Sequence, residues 1–268
     1  MQVNTNVSSF ISANALQSAN RDISNSVQRI STGVKMSQDD PSSIGTSARL
    51  KAQIGSLTKA NDSITKGMGA LQMMDSSLGE ITSMLLSMKD LAVASNNAAA
   101  TTDDKTANNL AYQELLSALT TASAIPKLGT TSLLASTAGM TFRVGAESGS
   151  TLAVPTFDTQ AAALSLTGTN ANAAAAAAET ALDTAINTVS GYQAKIGGTM
   201  RVLEALGNVN DSVITGATTA YSSITSTDLA KETANLAAAQ IRQNAAAAMF
   251  AQSNTMSREV VGYLLKGI

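Results

Sequence analysis

The sequence predicts a mainly α protein: a long coiled-coil helical bundle built from paired N- and C-terminal segments, with a small β-hairpin region near residues 138–156. Three observations predict it. Val3 to Leu91 and Leu182 to Ile268 both carry apolar stripes at helical spacing, and a Gly/Ser/Thr-rich stretch separates them. Only 3% of the 268 residues are aromatic, fewer than a compact enzyme of this length would use. Long striped helices at both ends must bury their stripes against each other or against further copies of the chain, so the layout points to assembly.

The elements run in order along the chain. Leu16, Ala19, Ile23, Val27, Ile30 and Val34 step by three and four along one helical face, opposite a face of Ser, Asn, Thr and Gln. Gly33 and the Asp39-Asp40-Pro41 run break this arm from the next helix, because Asp and Pro suit a turn or a helix start. Ile64, Leu71, Leu78, Leu85 and Ala92 then recur at one heptad position, with Met74, Ile81 and Met88 three residues on. That seam is about 43 Å long at the helical rise. After an Ala/Thr/Asn-rich turn from Asn96 to Asp104, the residues Tyr112, Leu115, Leu116 and Leu119 make a third, shorter amphipathic stretch. Met140 to Val144 and Thr151 to Val154 alternate apolar and polar around Gly145 to Ser150, the pattern of a hairpin. Pro126 and Pro155 stand outside every helical pattern, as a fixed φ and a missing N–H require. Ala173 to Ala178 starts the returning helix, whose seam is Leu182, Val189, Ile196 and Leu203, with Tyr192, Leu206 and Val213 at the offset position. The C-terminal arm presents Ile241, Ala245, Met249, Met256, Val260 and Leu264 on one face. Both arms are weakly charged and order when they find partners. Periodicity alone fits an ordinary bundle equally well, its stripes serving only its own core.

Composition narrows the chemistry. The chain has no His, Cys or Trp, which removes the commonest general base, the thiol nucleophile and any disulfide. No cofactor or metal is implied. Asp39, Asp40, Asp103 and Asp104 read as turn and cap residues rather than a catalytic or metal-binding pair. Met68, Met73, Met74, Met84 and Met88 read as adaptable core filling rather than a promiscuous groove. Gly145 to Ser150 lacks phosphate-loop spacing. A net charge of -2 with 13% charged residues gives no long-range attraction for nucleic acid or an anionic membrane. Ser, Thr, Asn and Gly interrupt every candidate membrane span, and Arg21 is the earliest cation, so neither a spanning helix nor a cleaved signal peptide is expected.

The two ends resemble bacterial flagellin. Val3-Asn4-Thr5-Asn6-Val7, Gln28-Arg29-Ile30-Ser31-Thr32-Gly33 and Asp39-Asp40 are similar to that family's N-terminal signature. The stretch Ala230-Lys231-Glu232-Thr233-Ala234-Asn235-Leu236, Gln240-Ile241, Met249, Ala251-Gln252-Ser253-Asn254 and Val260 to Leu265 are similar to its C-terminal one. Met88 to Asn96 resembles the segment that ends the family's long N-terminal helix.

The resemblance implies an extracellular subunit that self-assembles into the flagellar filament for swimming motility, exported unfolded through the flagellar type III apparatus. It implies that residues 1–40 and 229–268 form a discontinuous inner core around the filament channel and that 41–228 form the surrounding shell. Leu16, Ile23, Val27, Ile30, Ile241, Met249, Val260 and Leu264 are the expected polymerisation and core-packing residues. Only a few tens of residues separate Val154 from Leu182, where larger relatives insert outer domains, so the chain looks near-minimal and its filament is expected to be smooth and narrow. Beyond itself, the family's partners are an export chaperone, a filament cap and hook-junction proteins. A Toll-like innate immune receptor reads an Arg, a Leu and a Glu in many flagellins. Here those positions align with Ser87, Leu91 and Glu114, and the loss of the multidentate Arg weakens the match. A hook-filament junction protein shares the terminal pattern and is the nearest alternative within the apparatus. A surface adhesin would need an aromatic-bearing outer domain, and the metalloprotease insert of some relatives needs a His-Glu-x-x-His helix; this chain has neither.

Overall fold

The computed structural model describes residues 6–36, 41–172 and 174–266. Its elements are α1 (Val7–Thr32), α2 (Pro41–Asn96), α3 (Thr102–Ala124), β1 (Lys127–Leu128), β2 (Thr131–Ser132), β3 (Met140–Arg143), β4 (Thr151–Val154), α4 (Ala175–Thr225) and α5 (Leu229–Lys266). The chain is mainly helical, with two small antiparallel hairpins. It divides into two compact units, one of Met1–Lys51 with Thr218–Ile268 and one of Ala52–Ala217.

In the larger unit, heptad spacing becomes a buried seam. Ile64, Leu71, Leu78 and Leu85 of α2 share one core with Leu182, Val189, Ile196 and Leu203 of α4. All but Ile64 are fully shielded from water, and each such side chain contributes about 1.5–3 kcal/mol of gross burial. The two helices run antiparallel in a register marked by Lys89 against Asp183 at one end and Asn61 against Asp211 at the other. Tyr192 and Leu206 pack against this core at its margin, whereas Val213, the last residue of the offset row, is exposed. Among the methionines, Met74 and Met88 are fully buried and Met68 and Met84 partly so, but Met73 points out.

Helix α3 starts on a capping box. The Thr101 hydroxyl accepts from the Asp104 amide at 3.2 Å and the Asp104 carboxylate accepts from the Thr101 amide at 3.1 Å. The Thr101 hydroxyl also donates to the Asp104 carboxylate at 2.6 Å, and this bond foremost, with the one from the Thr101 amide, holds the Asp104 carboxyl below its usual range. So Asp103 and Asp104 occupy the first turn, where acids complement the helix dipole. Asp39 and Asp40 lie outside the described residues. Tyr112 and Leu119 bring α3 into the core, and the Tyr112 hydroxyl pairs with Thr169 at 2.7 Å. Burial raises the Tyr112 pKa.

The β3–β4 hairpin pairs Met140 with Val154 through Arg143 with Thr151. The Arg143 side chain closes its turn by donating to the carbonyls of Gly145 and Ala146. Phe142 inserts against α2 at Gly67, where a Cβ would meet Phe142 Cγ at 3.4 Å and Leu203 Cδ1 at 3.3 Å. Beside it, the nearly buried Asn210 amide donates to Asn61 Oδ1 and to the Val144 carbonyl, both at 3.0 Å, and so ties the hairpin to both long helices. The segment from 155 to 172 adds Phe157, Ala161, Leu164, Leu166 and Ala171 to the same core. Phe157 stacks on Tyr192 at 4.2 Å.

Candidate polymerisation surface

The smaller unit is built on the helix pair α1 and α5. Asn6 caps α1 by accepting from the Ser9 amide at 3.0 Å. Gly33 ends the helix in the left-handed region at φ 69°, its amide donating back to the Arg29 carbonyl at 2.8 Å. Just beyond, the Lys35 amide donates to Thr225 O at 2.8 Å and the Thr227 amide to Gly33 O at 3.0 Å, a two-bond clasp between the segments that flank the pair.

Cross-helix pairs show that α1 and α5 run antiparallel. Asn6 Nδ2 donates to Ser253 O at 3.1 Å, Ser9 Oγ to Asn254 Oδ1 at 3.0 Å, and Gln243 Nε2 to Asn20 Oδ1 at 2.7 Å. Arg242 pairs with Asp22 at 3.1 Å, and Arg29 with Glu232 at 3.0 Å. Glu232 is buried, and it keeps its charge because its carboxylate is well supplied with donors. Hydrogen bonding from Ser26 lowers its pKa most, and Arg29 and Asn235 add to this against the opposing effect of burial.

What closes between these helices is small. The buried positions are Ser12, Ala19 and Ser26 on α1 and Glu232, Ala239 and Ala246 on α5, each set repeating every seven residues. The larger apolar side chains lie at the margin or outside. Leu16, Ile23 and Ile30 are half-buried, and Val27 is 50% exposed. Ile241 is 68% exposed and Met249 66% exposed, with Ala245 and Met256 also in the open. These four residues of the C-terminal stripe therefore face away from α1. The physical reason is that alanine and serine let two backbones approach closely, while a Met or Ile at the same positions would hold them apart. The side chains of Val260 and Leu264 lie outside the described residues. Val7, Phe10 and Ile11 are exposed too, Phe10 at 68%. These three stand outside the polymerisation residues expected from the sequence, although their three-and-four spacing is itself an apolar helical stripe.

Exposed apolar faces of this kind on a helix pair are candidate interaction surfaces. Among the described residues no group of three or more acidic side chains could hold a metal ion, and no helix is long and apolar enough to cross a membrane.

The profile for the bacterial flagellin N-terminal helical region matches residues 3–137, and that for the flagellin C-terminal helical region matches residues 180–264. The chain belongs to the bacterial flagellin family. Flagellin FljM of Caulobacter vibrioides is 26% identical over 268 residues, covering 97% of each chain. The crystal structure of Bacillus cereus flagellin is similar with a TM-score of 0.50 and 26% identity, over 54% of this chain and 86% of that one. A putative flagellar hook-associated protein from Vibrio parahaemolyticus shares the fold alone, with a TM-score of 0.59 and 12% identity over 70% of this chain and all of that one. As a flagellin, the chain is a structural subunit that self-assembles into the extracellular flagellar filament.

The remaining residues singled out from the sequence sit on the larger unit. Leu91 packs against the edge of the bundle core, and Glu114 is exposed on α3. Lys89, next to this position, is held by Asp183, and that hydrogen bond raises its pKa.

Proposed function

We propose that the outward apolar face of the α1–α5 pair is the surface through which subunits join in the filament. Residues 1–40 and 229–268 serve as the inner core, and 41–228 serve as the shell. The observation that carries this reading is the inverted layout of the pair: small side chains between the helices, large apolar ones outside. A pair closed on Ala and Ser gains little from burial, so most of its helical stability must come from further copies. Leu16, Ile23, Val27, Ile30, Ile241, Met249, Val260 and Leu264 are assigned to these contacts, and Val7, Phe10 and Ile11 join them. The subunit performs no catalysis in this role. Export through the flagellar type III apparatus, with a chaperone, a filament cap and hook-junction proteins as partners, belongs to the same proposal. Recognition by a Toll-like receptor through Leu91 and Glu114 is assigned a minor place, because Ser87 supplies no multidentate donor.

Deletion of the first forty residues tests the reading. The expected result is a soluble subunit whose bundle keeps its helical signal but no longer extends filament seeds. Seeds that grow at the full-length rate from the truncated chain would refute it.

A further inference from the structure

The chain has no cysteine, so its eleven methionines are the only sulfur that an oxidant meets. They are not equally placed. Among the described residues Met74 and Met88 are fully buried, while only Met73, Met249 and Met256 are counted among the exposed large apolar side chains. Two of these three stand seven residues apart on the outer face of α5, the face proposed for subunit contacts, with Met249 66% and Met256 57% exposed. We propose that Met249 and Met256 form an oxidation site through which peroxide blocks incorporation of the free subunit, and which a methionine sulfoxide reductase reverses. The inference rests on the assembly reading of that face.

The chemistry is a two-electron oxygen transfer. A thioether lone pair attacks one peroxide oxygen, an S–O bond forms as the O–O bond breaks, and the departing hydroxide takes the proton of the transferred oxygen to leave as water. The sulfur is oxidised to sulfoxide and the peroxide reduced. An apolar, flexible side chain thereby becomes a polar one carrying a strong acceptor. On the free subunit that change costs little, since the side chain stays in water. In the filament the same oxygen must be desolvated without a partner, so the penalty falls on assembly rather than on folding. The buried Met74 and Met88 are spared because peroxide reaches them only when the bundle opens.

The test treats monomeric subunits with hydrogen peroxide, maps oxidation by peptide mass spectrometry, and measures extension of untreated seeds. Met249 and Met256 should oxidise at least about tenfold faster than Met74 and Met88. The treated subunit should extend seeds at least about fivefold more slowly, and incubation with methionine sulfoxide reductases of both epimer specificities should restore growth. In a Met249→Leu/Met256→Leu chain, the ratio of treated to untreated growth, taken within that variant, should stay near one. Met73→Leu should leave the sensitivity of the parent. Oxidation of both residues with no loss of growth, or equal sensitivity in the double-leucine chain, overturns the proposal. An untreated parent chain that never extends seeds refutes the assembly reading and this inference together, and it is told apart because it fails without peroxide.

Discussion

Replacing Gly67 with alanine tests whether the β3–β4 hairpin is seated on α2 through Phe142. Two effects oppose each other. Alanine in a helix interior is favoured over glycine by about 1 kcal/mol. Against it, the new Cβ would sit 3.3 Å from Leu203 Cδ1 and 3.4 Å from Phe142 Cγ, both members of the packed core, which must give by a few tenths of an ångström. Overpacking of this kind costs about 1–3 kcal/mol, so the net change runs from neutral to a loss of about 2 kcal/mol. Gly79, further along the same helix, has nothing within 4 Å of its would-be Cβ. There only the propensity gain of about 1 kcal/mol applies. The two substitutions, chemically identical, should thus differ in their effect on stability by about 1–3 kcal/mol. At about 2–4 °C per kcal/mol for a unit of this size, thermal unfolding of the monomer followed by circular dichroism resolves them. A Gly67→Ala chain as stabilised as Gly79→Ala would show that Phe142 does not pack against Gly67.

Two further outcomes concern the polar contacts. Asn210→Ala should destabilise the bundle by about 1–3 kcal/mol, because the Val144 carbonyl and Asn61 lose their donor beside a closed core. A double-mutant cycle with Asn61→Ala in urea unfolding should return a coupling above about 0.5 kcal/mol, and strict additivity would contradict the contact. Glu232 has its folded pKa lowered, so the stability it lends the α1–α5 pair is fully present above its unfolded value of about 4.3 and is lost as pH falls through the lowered folded one. Helical signal that depends on the arms should decline over that acid window in the parent chain and flatten in Glu232→Gln, as read by circular dichroism against pH. Identical acid profiles would place the sensitivity elsewhere.

The bundle was legible from spacing. Leucines and isoleucines seven apart on two long segments can bury together only as a seam, so Leu71, Leu78 and Leu85 share one core with Leu182, Val189 and Ile196. The β3–β4 hairpin was legible as well, since alternation around a Gly/Ser turn leaves few other conformations. The β1–β2 hairpin was not, because strands of two residues carry no period to detect. Neither was the packing of Phe157, Leu164 and Leu166 against the bundle, where irregular backbone brings apolar residues inward without any repeat.

The terminal arms mark the limit most clearly. Their amphipathic helices, and the kinship of the two ends, stand in the order of residues. Which face of α5 would turn toward α1 does not, because that helix offers two: Ile241, Ala245, Met249 and Met256 on one side, Ala239 and Ala246 with Glu232 on the other. Hydrophobicity alone selects the first. Close approach of the backbones, together with the donors that Ser26 and Arg29 bring to Glu232, selects the second. A stripe of large apolar residues states only that something must cover it, and whether the cover is the same chain or another depends on the distance at which the helices pack.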